Sequence, residues 1–443
     1  MNVAVIGGGF TGLAAAYRLA KNGHRVFVFE KDALPGGLAV GYKPARYAKQ
    51  SVAGGEKGWE WSLEKHYHHL FTNDACILNI AKEIGHDVLI KRPKTSVYAD
   101  SGIYRFDSPK EVLLFPKLSL ADRFRMATVI GMLRYNPFWK PLEKINASTF
   151  LPRAMGKRAY NMIWEPLFVN KFGKFASDVS LAWFWARIMK RTSSLAYPKG
   201  GFLDFAKHLV TIIEQKDGKV LFDTEVLALT DDKKTTLTIK NEKGKIGKQV
   251  FDFVIFTLPT FLFLKMAPQL PDAYREKFVR LKGLGATNLI LRLKEPFFND
   301  NTYWLSVCDI KSPIMAIVEH TNFMDKKHYN NEHLVYLGNY LPPDDPTFLM
   351  SKEEKLKLFD PFLKKINPDY ETHLIGYELF KAPFAQPIIP TNYSKMIPPM
   401  VTPLKHIFLA NIEQVYPWDR GTNYAVELGE IAAKHILMQN EAS

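Results

Sequence analysis

Cysteine is scarce: the 443 residues contain two, Cys76 and Cys308. Two cysteines cannot staple a chain of this size, so the disulfide-framework classes are excluded, and the scarcity fits a reducing compartment. No C-x-x-C and no Cys/His metal-ligand spacing occurs. Long apolar runs are missing too. Met126 to Leu133 and Phe251 to Met266 fall short of the ~18 residues that a spanning helix needs, and the second is interrupted by Pro259. With a first strand expected from Asn2 or Val3, no signal or transit peptide is expected ahead of the fold. The expectation is a soluble or surface-bound protein of the cytoplasm or the cytoplasmic face of a membrane. Internal repeats and low-complexity tracts are absent, and 47% hydrophobic residues supply a sizeable core. The length suits two domains or one large discontinuous pair. RRM, KH and helix-turn-helix signatures are lacking, so no nucleic-acid partner is expected. No feature sets an oligomeric state.

Acidic residues are thin in one region. The net charge is +14, and between Lys110 and Lys199 there are 16 Lys and Arg against 5 Asp and Glu, a local excess of 11. Aromatics are interleaved with these bases, as in "YNPFWKPLEK" and "AWFWARIMKR". Such a stretch suits an anionic lipid surface or an anionic substrate, or it is the solvated basic face of a helical domain.

What is present begins at the first residues. "NVAVIGG" is apolar in the manner of a buried parallel strand. Gly7, Gly9 and Gly12 then form G-x-G-x-x-G, with Phe10 and Thr11 inside it. The first glycine allows a tight turn, the second a close approach to a pyrophosphate, and the third close packing of helix on strand. The helix that follows stops at Gly23 and presents its positive N-terminal end to phosphate. "RVFVFE" is the second strand, and Glu30 lies at its end, 18 residues past Gly12, where a carboxylate accepts ribose hydroxyls. Strand, turn, helix, strand and acid stand in order, which predicts a dinucleotide site.

"EKDALPGGLAVGY" continues with Lys31, the pair Gly36–Gly37 and Leu38. Here the chain resembles the FAD-dependent flavin amine oxidase, protoporphyrinogen oxidase and phytoene desaturase superfamily, with UDP-galactopyranose mutase as a relative. The resemblance recurs in "SLEKHYHHLFTND", in "YPKGGFLDFAKHLVTIIEQKDGKVLFDTEVLAL" and in "HIFLANIEQVYPWDRGTNYAVELGEIAAKHIL". It implies FAD as the cofactor, Val226 against the adenine, and a closing helix from about Asn423 whose N-terminus points at the flavin. Such a helix end stabilises negative charge on reduced flavin by up to ~2 kcal/mol. It also implies an α/β fold: a discontinuous Rossmann-like FAD domain of residues 1–75, 197–265 and 395–443, with an α+β substrate domain. In the latter, residues 76–196 would form a helical cap and 266–394 a mixed or antiparallel sheet under a substrate cavity.

The chain departs from the superfamily pattern in four respects. Where relatives read Leu-Ala-Gly-Asp, this chain has Leu409-Ala410-Asn411-Ile412 with Glu413 next, so Asn411 or Glu413 would replace the aspartate. A lysine that monoamine oxidases place near the flavin corresponds to Asn288, and an aromatic cage position corresponds to Gly421, followed by Thr422 and Asn423. No cysteine stands where those enzymes tether flavin covalently.

Catalytic candidates are few. His66 and His68 share one face of an extended segment and His69 the other, without carboxylate or Cys partners at ligand spacing, so no metal is expected. One of them facing the flavin could orient substrate or move a proton. Arg420 could bind a substrate phosphate or carboxylate bidentately, or pair with Asp419 to shape its loop. Trp59 and Trp61 line the same cavity or fill core. The leading reading is an oxidoreductase exchanging hydride between FAD and an apolar, isoprenoid or lipid-linked small molecule, held at an anionic membrane surface. The alternatives are a mutase-like flavoenzyme acting on a sugar nucleotide without net redox, and a non-enzymatic flavoprotein or basic surface-binding protein. Lacking a second glycine-rich nucleotide motif, the chain points to oxygen, a quinone or another carrier as electron acceptor.

Overall fold

The computed structural model describes residues 1–44 and 58–441. Its nucleotide half is a five-stranded parallel sheet in the spatial order Lys219–Leu221, Arg25–Phe29, Asn2–Ile6, Phe253–Phe256, Ile407–Leu409. The strands come from three distant stretches of chain. Alternation along Asn2–Ile6 decides which layer each residue joins. Val3 and Val5 pack under the helices Phe10–Lys21, Phe202–Glu214 and Thr422–Glu441. Ala4 and Ile6 face a three-stranded antiparallel layer of Glu225–Asp231, Thr235–Lys240 and Ile246–Phe251. Burial on both faces explains why this strand is apolar throughout.

Two close contacts need glycine. A Cβ on Gly12 would lie 2.0 Å from the carbonyl oxygen of Gly7, which itself has φ +108°. A Cβ on Gly429 would lie 2.2 Å from the Thr11 carbonyl oxygen, so the closing helix meets the first helix backbone to backbone.

The second half is a seven-stranded mixed sheet ordered Leu374–Pro387, Gly283–Leu293, His333–Leu341, Ala316–Glu319, Thr302–Val307, Lys94–Ala99, Gly102–Arg105. Only the pair Thr302–Val307 with Lys94–Ala99 is parallel. The stretch 76–196, expected to be a helical cap, differs: after the helix Ala75–Glu83 it runs through the strands Val88–Lys91, Lys94–Ala99 and Gly102–Arg105 before the cap helices. The reason is the period-2 pattern of "KTSVYA". Val97 and Ala99 enter the core under the cap, and Tyr98 enters the core on the opposite side of the sheet. The helices follow from Leu120–Tyr135 through Ala147–Met155 and Glu165–Phe172 to Leu181–Lys190. Ser119 and Asn146 cap the first two by accepting the N–H groups of Asp122 and Thr149.

Candidate functional site

The glycine turn after the first strand is built to receive phosphate. Gly9 precedes the helix Phe10–Lys21, has no side chain to cap it, and no acid occupies the first turn. Helix geometry leaves the N–H groups of Phe10, Thr11 and Gly12 without helical partners. The second glycine loop lies against the first. The Gly36 N–H donates to the Gly8 carbonyl (2.9 Å), and a Cβ on Gly37 would sit 3.1 Å from the Gly9 Cα. Gly36 and Gly37 have φ +119° and +57°.

Glu30 closes this end. It is buried, and its carboxylate accepts the N–H of Gly8 (2.7 Å) and of Asp32 (2.9 Å). Burial raises its pKa, and those two donors oppose the rise. The carboxylate thus ties the glycine turn to the tip of the second strand. Lys31 beside it is exposed. Leu38 packs toward the cap core, and Val226 is buried with Phe29 and Ile6.

At the other end the helix Thr422–Glu441 starts after Gly421, again with no acid in its first turn. Three residues expected to hold cofactor are otherwise engaged. The Asn423 Oδ1 accepts the Ile77 N–H (3.2 Å), fastening the helix Ala75–Glu83. Asn411 donates to the Leu258 carbonyl (3.1 Å) and the Thr260 hydroxyl (3.0 Å). Glu413 accepts the Thr260 N–H (2.7 Å) and the Thr260 hydroxyl, so it caps the helix Thr260–Met266. Buried side chains must find partners, and for these three the partners come from chain segments about 150 residues or more away. These bonds join the closing segment to its neighbours.

Between the two halves the histidines diverge. The Asn288 amide donates to His66 Nδ1 (2.6 Å), which leaves the His66 proton on Nε2. His68 turns back so that Nδ1 meets the His66 carbonyl (2.6 Å), and His69 Nδ1 meets the Tyr303 hydroxyl (3.1 Å). Burial, then neighbouring His68, Arg420 and Lys65, pushes His66 down to about 3. Burial likewise takes His68 to about 4 and His69 to about 3, so all three rings are neutral near pH 7. Among the described residues, no group of three or more His, Cys, Asp and Glu is placed to hold a metal ion. Tyr67 packs edge-on against Trp304 (4.9 Å) and Tyr336 (5.9 Å), and a Cβ on Gly338 would lie 2.6 Å from its ring. Trp59 and Trp61 belong to the core: Trp59 donates to Glu332, and Trp61 stacks on His328 at 3.8 Å.

Arg420 does not pair with the carboxylate of Asp419. Its Nε donates to Gln386 Oε1 (2.8 Å) and its other end to the Tyr340 hydroxyl. Asp419 instead faces Lys171 (3.4 Å), Arg187 (3.3 Å) and the Trp183 indole N–H (3.1 Å). Sequence reasoning missed Lys171, Arg187, Tyr340 and Gln386, because nothing local marks them. Burial lowers Lys171 to about 7, against the pull of Asp419. Burial and the nearby Arg187 lower Arg420 to about 10. Burial works to raise Asp419, and the charges of Lys171 and Arg187 outweigh it, so its pKa ends below the ordinary value.

Two glycine loops, a phosphate-ready helix end, an acid at the second strand tip and a second bare helix end define a dinucleotide-binding flavoprotein with a substrate-side sheet. Residues 10–437 match the family described as flavin containing amine oxidoreductase, and the chain belongs to that family. Its cofactor is FAD, and the residues around the glycine turn fit the group. The fold is shared with a candidate protoporphyrinogen oxidase from Exiguobacterium sp. 255-15 (14% identity, 99% of each chain, TM-score 0.73). It is shared with an oxidoreductase from Methanosarcina mazei (19% identity, 98% of this chain and 100% of that one, TM-score 0.73). It is also shared with a reduced UDP-galactopyranose mutase (15% identity, 99% and 96%, TM-score 0.74). Among curated proteins, 37 residues are 60% identical to thiamine thiazole synthase of Thermotoga maritima, spanning 8% of this chain and 15% of that protein.

Proposed function

We propose that the protein is an FAD-dependent oxidoreductase acting on an apolar, lipid-like substrate rather than on an amine. The observation that carries this reading is the sign of charge beside the closing helix. An ammonium substrate is drawn by carboxylates or an aromatic cage. Here Lys171 and Arg187 face a single carboxylate, Asp419, the neighbouring Arg420 guanidinium rests on neutral oxygens, and the three histidines are neutral. Bound FAD supplies two-electron hydride chemistry. The chain's own parts are narrower. Glu30 and the N–H groups of the first helix turn bind the nucleotide, and Tyr67 with Trp304 offers an apolar wall. The neutral His66, held by Asn288, presents Nε2–H to whatever lies beside it.

The same cations suit a sugar nucleotide, which keeps the mutase-like alternative in view. A non-redox reaction would show as UDP-sugar scrambling by reduced protein without consumption of reductant.

The cap supplies the surface for a lipid-borne substrate. Leu120, Phe124, Met132, Tyr135 and Phe138 are 62–84% exposed, and Arg123, Arg125, Arg134 and Lys140 stand among them. Exposed apolar side chains flanked by bases match an anionic bilayer surface. A groove of about 450 Å³ along the same helix is lined by Arg125, Val129, Met132 and Phe150. Among the described residues no helix is long and apolar enough to cross a membrane.

The deciding experiment is a visible absorbance spectrum of the purified protein, with the released cofactor identified by mass. FAD that bleaches under anaerobic reductant and returns in air supports the proposal, and bleaching then screens candidate lipids, amines and sugar nucleotides. Absence of flavin after reconstitution overturns it.

A further inference from the structure

We infer that Lys171, Arg187 and Arg420 form a receptor for a phosphate or diphosphate group carried by the substrate. This rests on the oxidoreductase reading above and names the chemistry of one end of its substrate.

The charge count is the starting point. Among the described residues Asp419 takes both ion pairs of this cluster, with Lys171 at 3.4 Å and Arg187 at 3.3 Å. Its other oxygen accepts the Trp183 indole N–H and the Arg420 backbone N–H, both at 3.1 Å. The Arg420 guanidinium has no carboxylate at ion-pair distance among the described residues and rests on two neutral oxygens, of Gln386 and Tyr340. Three basic side chains therefore share one carboxylate; because burial lowers Lys171 to about 7, the surplus near neutrality lies between one and two positive charges, closed in at Lys171 and open to solvent at Arg187. Charge that is desolvated without a full set of counter-charges is costly, and an added anion at this place relieves that cost.

The aromatic rings offset a part of this. Lys171 Nζ lies 4.8 Å from the Trp183 ring centre and 5.6 Å from that of Tyr340. The Arg420 guanidinium lies 4.9 Å from Tyr340, and that of Arg187 5.3 Å from Trp183. Rings attract cations without neutralising them. A carboxylate would cancel one positive charge, and a more highly charged anion would also hold Lys171 protonated. A phosphate monoester carries about −1.5 to −2 near neutrality, and a diphosphate carries more, so these groups match the count. Arginine forks favour phosphate oxygens for the same geometric reason that they favour carboxylates.

The cluster also has a way out. The Arg187 side chain keeps 37% of its surface accessible and Asp419 21%, while Lys171 keeps 9%. It therefore runs from a closed floor to an open rim. Arg420 stands two residues ahead of Thr422, where the closing helix begins. An anionic head bound here would leave an attached chain beside Tyr67 and His66, whose ionisation already feels the charge of Arg420.

The test uses FAD-loaded protein, so that the cofactor's own phosphate site is filled, and titrates it with inorganic pyrophosphate and with farnesyl diphosphate by calorimetry. One saturable site is expected, weakened about tenfold or more by Lys171→Met and by Arg420→Gln. Lys243→Gln, a change in an exposed hairpin turn, serves as the control for general attraction to a basic protein. Tighter binding of farnesyl diphosphate than of pyrophosphate assigns the anion to an apolar substrate. Equal binding assigns the receptor to the free anion and overturns the substrate assignment. No saturable site, or equal loss in the Lys243→Gln control, overturns the receptor itself. Arg420→Lys keeps the charge and removes the fork, and it guards against misfolding of Arg420→Gln. Should the protein hold no FAD, the oxidoreductase reading fails, and the sensitivity of pyrophosphate binding to Lys171→Met still reads the receptor by itself.

Discussion

Single side chains do two kinds of work here. Glu30 orders the glycine turn through the N–H groups of Gly8 and Asp32. Glu30→Ala removes hydrogen bonds to a charged group, about 1.5–3 kcal/mol, so FAD affinity should fall by about 10- to 100-fold, measured by fluorescence titration of apoprotein. Glu64 works inside the core. It accepts the Phe202 N–H (2.8 Å) and the Tyr197 hydroxyl (2.8 Å), and burial raises its pKa to about 7. A carboxyl with a raised folded pKa holds more protons in the native state than in the unfolded one. Its contribution is therefore fully favourable below the unfolded value of about 4.3 and is lost as pH rises to about 7. Glu64→Gln should flatten the stability profile across that window and raise the melting temperature at pH 8. A profile identical to wild type would show that the carboxylate is ionised throughout. The residue-scale signals differ in legibility. Glu30 is readable because its strand and turn are adjacent in sequence. Lys171 sits in "VNKFGKF" and reads as a solvated base until its helix packs on the strand His333–Leu341. Asp419 and Arg420 are chain neighbours whose side chains take different partners, which defeats pairing by proximity in sequence.

Elements meet at positions where a methyl group has no room or ample room, and the two cases predict opposite outcomes. Gly429→Val would press on the Thr11 carbonyl and the Ala15 N–H. It should separate the closing helix from the first helix and abolish FAD retention, read from the absorbance ratio of purified protein. Gly131 lies inside the helix Leu120–Tyr135 with nothing within 4 Å of a Cβ. Gly131→Ala should stabilise the protein by about 0.5–1 kcal/mol, measured by urea denaturation. The parallel strands and the first helix were legible because local pattern and tertiary environment agree. The strand Lys94–Ala99 was not anticipated within a helical stretch. Its alternation is short, and its parallel partner, Thr302–Val307, is some 200 residues distant.

The whole molecule presents one face that neither half explains. Phe124, Met132, Tyr135 and Phe138 are exposed on a cap whose surrounding segment carries a net excess of bases. Binding to phosphatidylserine vesicles in a flotation assay is expected, weakening as salt screens the bases. The double change Phe124→Glu with Met132→Glu should abolish it while leaving bound FAD untouched. Equal binding by that variant would assign the attraction to general positive charge. The basic excess was visible in the sequence. Which apolar residues remain outside was not, since helix Leu120–Tyr135 mixes bases and apolar side chains around its circumference and buries only Met126 and Leu133.

By itself the sequence determined the nucleotide half: glycine positions, strand polarity and the terminal acid are set by constraints within a few residues of one another. It also showed two cysteines and no apolar run of the length a spanning helix needs. Only the tertiary structure decided which groups meet beside the closing helix. Asn411, Glu413 and Asn423 are engaged with backbone and side chains from remote segments. Lys171, Arg187 and Arg420 converge from the cap and the closing loop. The physical reason is range. Backbone geometry and burial patterns act between near neighbours, whereas the balance of charge in an enclosed site depends on which distant groups the completed fold brings together.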